Sequence, residues 1–571
     1  MKKFLCVLGV LCGSLSAHAL DRQAFTITQY SLNAHLDPAT GGFAVEGVLE
    51  LRNDSTAPQR NLVLQISSTL EWKTITAGGK DVQWLAQPYI SDIDHTGALS
   101  EAIVTLPAPV PPGGTVALGA SYAGTIPADT TRLERIGVPA EVAGRSDWDR
   151  ISASFTAVRG LGYVAWYPVA MDSANLSNGS EVFDAIAAWK QRHAASTMAV
   201  IFWSEAAGAL EANTVRENVI AQLSSSEKGM LLGGYRWKGL GRTVPTFAFG
   251  DYQERVGGGL TVAYLPGTES AAADYARVAG AGEGLAFQWF GRPKGNLTLV
   301  DLGDAEAQPY ESGTWLFTPL KPTDSLSLEL TFAHQWTHAA LESPRLWFYE
   351  GAASFAQALE RERQNGRQAA LDYMAAHLPA LQAAEAAAAS PSAAGAPAGQ
   401  SLVVASDGIF YRTKAMYVFW MLRELVGDQA LQRAFQSYRA ADDKEPSYFQ
   451  RLLEAQSHKS LEWFFDDWVY RDRGLADLRI AAVYPRPTLR GSYTVTVTVE
   501  NLGGAAAEAP VVVKGEGGEV VERVQVAGHG KAVLHITVPS KPLEARVNDG
   551  SVPESDTKNN SMAIIVPKPQ Q

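Results

Sequence analysis

The hydrophobic period of this chain changes twice, and those changes limit the folds open to it. From residue 24 to about 252, apolar residues alternate in short runs bounded by turn signals. Residues 27–36 and 43–51 are two such runs, separated by Asp37-Pro38 and Gly41-Gly42. A second strand-rich group runs from 198 to 252, with an aromatic, loop-like stretch at 160–171 between the groups. Past about Gln253 the pattern predicts a strand at 260–265, a helix at 271–290 and a strand at 296–302. Helical spacing then dominates from 324 to 475, with Asp324-Ser325 as an N-cap. An Ala-rich helix at 371–389 runs into the small-residue stretch 390–400, which reads as a flexible surface loop. Strict alternation returns at 493–499, and strands are predicted at 511–513, 520–526 and 532–538. The expected fold is therefore multi-domain: an N-terminal all-β domain over 20–252, a mixed helical domain over 253–475, and an Ig-like β-sandwich over 476–571.

Residues 1–19 read as a secretory signal peptide. Lys2 and Lys3 form its basic end, residues 4–15 its apolar core, and Ala17-His18-Ala19 its cleavage site. Both cysteines, Cys6 and Cys12, lie inside it, so the mature chain is expected to carry no disulfide. A periplasmic or secreted protein is expected, with no transmembrane segment after signal cleavage. The formal net charge of −12 argues against nucleic acid as a partner.

The chemistry concentrates in one segment. His334 and His338 stand four apart on a predicted helix, so both imidazoles share a face and can share an ion. Glu350 follows in a Tyr-Glu-Gly after Pro344 and can supply a third ligand. That set approaches H-E-x-x-H plus a downstream Glu, the pattern of a helix-borne zinc peptidase, and predicts one bound zinc. The position after the first His holds Gln335 instead of Glu. A neutral amide cannot take the proton that a general base must take.

Over roughly residues 24–475 the chain resembles the gluzincin aminopeptidases related to aminopeptidase N, in matching order. Residues 30–38 resemble the opening strand of that family's β-domain, and 245–252 its closing strand. Gln308-Pro-Tyr-Glu311-Ser312-Gly resembles the family's G-x-M-E-N segment, with Ser312 in place of Asn. Trp347-Phe-Tyr-Glu350-Gly-Ala resembles L-N-E-G-F-A, Tyr411-Arg-Thr-Lys-Ala resembles Y-x-K-G-a, and 461–468 also has a counterpart. The resemblance implies a thermolysin-like α+β peptidase domain with zinc on His334, His338 and Glu350. It implies that Glu311 receives the free α-amino group of a peptide and that Tyr411 donates to the oxyanion. No counterpart of the family's long C-terminal helical domain is expected in the residues after 475. Residues 493–560 are similar instead to CARDB-type modules. Their closing carboxylates, from Asp549 to Asp556, form either a Ca²⁺ site or a solvated turn, and the turn is the expectation.

Two registers remain open. Only 11 residues separate His338 from Glu350, fewer than the family usually has, and the strict spacing puts Gln357 in the ligand position. A rival register equates Ala333-His334-Gln335-Trp336 with the family's A-H-Q-W; Leu330 and Thr331 then replace its His-Glu pair, and the metal site is lost. Two functions follow. One is an exported zinc metallopeptidase-like protein that binds peptide or protein N-termini, with weak or absent hydrolysis because Gln335 replaces the base. The other is a non-enzymatic peptide-binding or scaffolding protein of the cell envelope, without metal.

Overall fold

The computed structural model describes residues 20–178, 181–217, 229–241, 243–257, 259–293, 295–389, 401–405 and 407–566. The expected signal peptide at 1–19 and surface loop at 390–400 lie outside the described residues. Among the described residues no helix is long and apolar enough to cross a membrane.

Two compact units form. The first comprises Met1–Asn175, Ala188–Ala207 and Thr214–Thr246. Its main sheet has eight strands. Phe25–Asp37 pairs antiparallel with Gly42–Asn53 and parallel with Thr197–Ser204. The turn between the first two strands is set by Asp37, whose carboxylate accepts from Thr40 Oγ1 (2.6 Å), and by Gly41 at φ +74. Tyr30, Leu32, Ala34 and Leu36 alternate inward, the period-2 signature of a sheet covered on one face. The aromatic stretch at 160–171 is irregular, as expected, but it lies in the interior. Trp166 and Tyr167 are fully buried, and its carbonyls accept from the Tyr30 and Tyr122 hydroxyls (2.9 and 3.0 Å). Those bonds satisfy backbone groups that a buried loop would otherwise leave unpaired.

The second unit comprises Leu176–Ala187, Gly208–Asn213 and Phe247–Gln571, so the expected domains at 253–475 and 476–571 fall within one compact body. It opens with a five-stranded sheet whose order is Gln253–Gly257, Leu260–Tyr264, Leu297–Asp301, Trp315–Thr318, Tyr310–Ser312. The three inner strands run parallel, and a tight hairpin through Gly313 and Thr314 makes the last edge. That hairpin carries Glu311.

Behind the sheet, the helix Glu269–Phe290 packs on the helix Ser325–Ala340. Asp324 caps the latter, accepting from Ser327 N at 2.9 Å, a contact worth about 1 kcal/mol. Leu328, Phe332 and Trp336 recur every four residues and form its buried seam. Trp336 Nε1 reaches Ala279 O (2.7 Å), and Tyr275 meets Phe332 edge-on. With about 100° between successive residues, His334 and His338 project from a different side of the same helix. A long helical segment, Leu346–Ala389, follows. It is broken at Asn365–Gly366, where Gly366 sits at φ +80, so the Ala-rich helix expected at 371–389 is its second half.

At the C-terminus, a three-stranded and a four-stranded antiparallel sheet contribute Val495, Val497 and Val499, and Val511, Val513 and Val547, to one buried cluster. That cluster is continuous with the helical core: it runs from Leu260 to Ile564. Of the closing carboxylates expected in a solvated turn, Asp549 and Asp556 are exposed and Glu554 is not. Glu554 is fully buried, accepting from Leu478 N (2.5 Å), Asn560 Nδ2 (2.6 Å) and Asn548 Nδ2, and Asp549 is bound by Arg367 (2.9 Å).

Candidate metal centre and cleft

Three elements meet at one point. The Ser325–Ala340 helix brings His334 and His338, the start of the Leu346–Ala389 helix brings Glu350, and the edge hairpin brings Glu311. One donor atom from each of the four lies within 4.8 Å of the others. The Nε2 atoms of His334 and His338 are 3.0 Å apart. Glu311 Oε2 lies 3.1 Å from His334 Nε2 and 3.3 Å from His338 Nε2, and the Glu350 oxygens lie 3.7 Å from each. Both histidines are buried, and the His338 ring stacks on Tyr349 at 3.9 Å.

The electrostatics follow from these contacts. Burial alone would raise the Glu311 carboxyl, but His334 and His338 beside it hold it well below the usual carboxylate range. For His334, burial works to lower the imidazole, and the adjacent Glu311 charge overrides it, so its proton is held more tightly than in water. Glu350 is fixed from outside the cluster by Arg412, whose Nε donates to Oε2 at 2.9 Å.

These residues fit a zinc ion by donor type: two imidazole nitrogens and two carboxylates, converging. One feature departs from well-supported sites. Ligating histidines ordinarily donate their second ring nitrogen to a carboxylate or carbonyl. Here the Nδ1 atoms of His334 and His338 are buried with no hydrogen-bond partner. The juxtaposition does not depend on which sequence register is chosen, because His334, His338 and Glu350 meet in space either way. Gln357 lies elsewhere. It donates to Leu330 O (3.1 Å) and accepts from Tyr373 Oη (3.1 Å).

Gln335 is fully buried and turned away from the ligands. Its amide nitrogen donates to Gly313 O (3.0 Å) and Trp315 O (3.4 Å), both on the Glu311 hairpin. A second tether joins the same hairpin, since Asn213 Nδ2 donates to Ser312 Oγ at 2.8 Å. Sequence reasoning gave no role to Asn213, which stands about 100 positions before its partner, and no local pattern marks it.

A cleft of about 730 Å³ opens beside the cluster, its wall including Glu311, Thr331, His334, Gln357, Tyr373 and Arg412. Tyr411 is not part of that wall. Its hydroxyl lies over Gly408, where an added Cβ would stand 3.6 Å away. Residues Ile409–Lys414 form a π-helical turn. Such a turn accommodates one extra residue and rotates the side chains that precede it. Lys414 ends the turn, buried against Glu385 (2.6 Å) and Asp472 (3.2 Å), and Arg412 two residues earlier is the side chain that reaches the cluster. The spacing Tyr411-Arg-Thr-Lys414 has one residue more than Y-x-K, and this was the available clue.

No family model and no curated protein matches the sequence. Solved structures do match the fold. An M1 zinc metallopeptidase from Deinococcus radiodurans is similar over 79% of this chain and 95% of its own, at 18% identity and TM-score 0.51. A mutant of that enzyme bound to a Tyr-Ser-Ala substrate is similar over the same shares, at 16% identity and TM-score 0.50. Legionella pneumophila aminopeptidase A, in complex with aspartic acid, is similar over 94% of this chain and 60% of its own, at 11% identity and TM-score 0.59. The chain thus has the fold of M1 zinc metallopeptidases.

Proposed function

We propose that this chain is an exported, aminopeptidase N-like zinc metallopeptidase-like protein that binds peptide N-termini and hydrolyses them weakly or not at all. One observation carries the reading: two imidazoles and a carboxylate on two helices converge with a second carboxylate, and His334 and Glu311 of this cluster line a cleft. His334, His338 and Glu350 would hold zinc, with Arg412 orienting Glu350. A bound zinc ion supplies Lewis acidity toward a carbonyl oxygen. Glu311 offers a carboxylate to the α-ammonium of a peptide. The hydrogen-bond donor expected of Tyr411 is supported better at Arg412, whose guanidinium faces the cleft.

Loss of a general base typically costs about 10²–10⁴ in rate. The bonds that the Gln335 amide nitrogen makes to Gly313 and Trp315 support that loss, since they hold this neutral side chain against the hairpin. The C-terminal sheets are read as an Ig-like, CARDB-type module without chemistry of its own, and the chain as periplasmic or secreted.

The second reading, a metal-free peptide-binding or scaffolding protein of the cell envelope, is favoured by the partnerless Nδ1 atoms. Zinc content decides between them. One ion per chain in the mature protein, lost in His338→Ala, supports the first reading; no ion after metal supplementation overturns it. Calorimetry with a tripeptide, free or acetylated at its N-terminus, then tests the ligand. Binding of the free form alone is expected, and equal binding of both removes the α-amino role of Glu311.

A further inference from the structure

The cluster has one donor more than a catalytic zinc site uses. Catalytic sites keep three protein ligands and an open position, whereas structural sites fill all four. Donors at about 2.0–2.2 Å around a tetrahedral ion stand about 3.3–3.6 Å from one another. The separations here run from 3.0 to 3.7 Å, bracketing that range; the two to Glu350 involve its two different oxygens, Oε2 toward His334 and Oε1 toward His338. Glu311 Oε2 belongs to that set as closely as Glu350 does, and it lies nearer both histidines than either Glu350 oxygen.

The hairpin is held in this pose from behind. Gln335 is the residue after the first ligand on the helix, and its amide donates to the carbonyls of Gly313 and Trp315, flanking the turn that follows Glu311. A carboxylate at 335 would face the same two carbonyl oxygens with no proton to offer them and would push the hairpin off. Asn213 pins the neighbouring Ser312.

We propose that Glu311 is a fourth metal ligand that closes the site, and that Gln335 is the positioning residue that keeps it there. The substitution that removes the base thus also builds the closure. A peptide ammonium can then engage Glu311 only by drawing it off the metal, so ligand entry and opening of the metal become one event. This inference rests on the zinc-binding reading above.

The test replaces zinc by cobalt(II) in the full mature chain and follows its visible absorption, which reports coordination number, while acetohydroxamate is added. The natural protein is expected to show an intense four-coordinate spectrum that responds only at high hydroxamate. Glu311→Ala and Glu311→Gln, checked for native circular dichroism and one cobalt per chain, are expected to bind hydroxamate at least about tenfold more tightly, because the closed population no longer competes. Gln335→Ala should shift the same titration part of the way. If the natural protein takes hydroxamate as readily as the Glu311 variants, closure is wrong while metal binding stands. If it takes up no cobalt, the zinc-binding reading falls, and closure falls with it.

Discussion

Glu311 and Glu554 are both carboxylates drawn out of bulk water by the second unit, and their surroundings treat them oppositely. Glu311 faces two imidazoles that hold its carboxyl well below the usual range, against the effect of burial. Glu554 is more deeply buried and meets only neutral donors: a backbone N–H and two side-chain amides. Burial therefore dominates and pushes its carboxyl up to about 7, with the nearby Asp477 adding to the rise. The sequence pointed to Glu311 as the group that receives a peptide's α-amino end, and to Glu554 as one of the closing carboxylates of a Ca²⁺ site or a solvated turn. The difference shows what separates a chemical site from a structural one: convergent donors that compensate charge, against neutral bonds that spend the carboxylate on fixing a turn.

The sharpest way to break this contrast is to remove the charge partner. His338→Ala should weaken zinc binding by more than about a hundredfold, since loss of mere outer-shell partners costs about 10–100-fold. Metal analysis after dialysis checks it, and retention of a full equivalent of zinc would remove His338 from the ligand set. For Glu554 the sign runs the other way. Its folded-state proton affinity exceeds the unfolded value, so its contribution to stability is fully present below about pH 4.5 and is lost as pH rises to about 7. At about 1.4 kcal/mol per tenfold change in proton affinity, the full effect is about 3 kcal/mol. Urea unfolding at pH 5 and pH 8 should show it, and Glu554→Gln should flatten the difference. An unchanged slope in that variant would place the pH dependence elsewhere.

Smaller effects sharpen the same comparison. Gln335→Glu should cost about 1–3 kcal/mol, because two half-buried carbonyls lose their donor and meet a buried carboxylate instead. On its own it should not create hydrolysis of aminoacyl chromogenic amides. A large gain in activity would mean that residue 335 swings toward the metal. Arg412→Ala should lower zinc affinity about tenfold through the freed Glu350 carboxylate, with no change in overall fold. Competition with a chromogenic chelator measures it.

What the sequence carried was local. The two changes of hydrophobic period marked strands, helices and strands again, because periodicity is set by which face each residue buries. The Asp324 cap and the spacing of His334 and His338 are likewise written within a few residues. What it did not carry depends on partners far along the chain. The approach of Glu311 to the histidines depends on a hairpin at a sheet edge, and the turn of Gln335 away from them depends on carbonyls 20 and 22 residues earlier. Arg412, not Tyr411, lines the cleft and reaches Glu350, in a segment that forms a π-helical turn. Glu554 looked exposed in a polar stretch, and only the arrival of Leu478, 76 residues earlier, buries it.

The continuous core of the second unit gives the Glu311–Glu554 pair a shared fate. Trp468 Nε1 bonds to Ala506 O (2.7 Å), Asp467 accepts from Ala506 N (2.9 Å), and Gln382 reaches Glu554 O (2.7 Å). These contacts tie the helices to the C-terminal sheets, and the two are expected to melt together, as a single calorimetric transition would show. Proton and metal are then two ligands of a single unfolding equilibrium. Acidity that keeps Glu554 protonated would tighten the framework around the histidines while competing with metal for their nitrogens. The protein's heat resistance in the presence of zinc should therefore peak at a pH set jointly by two sites that share no ligand.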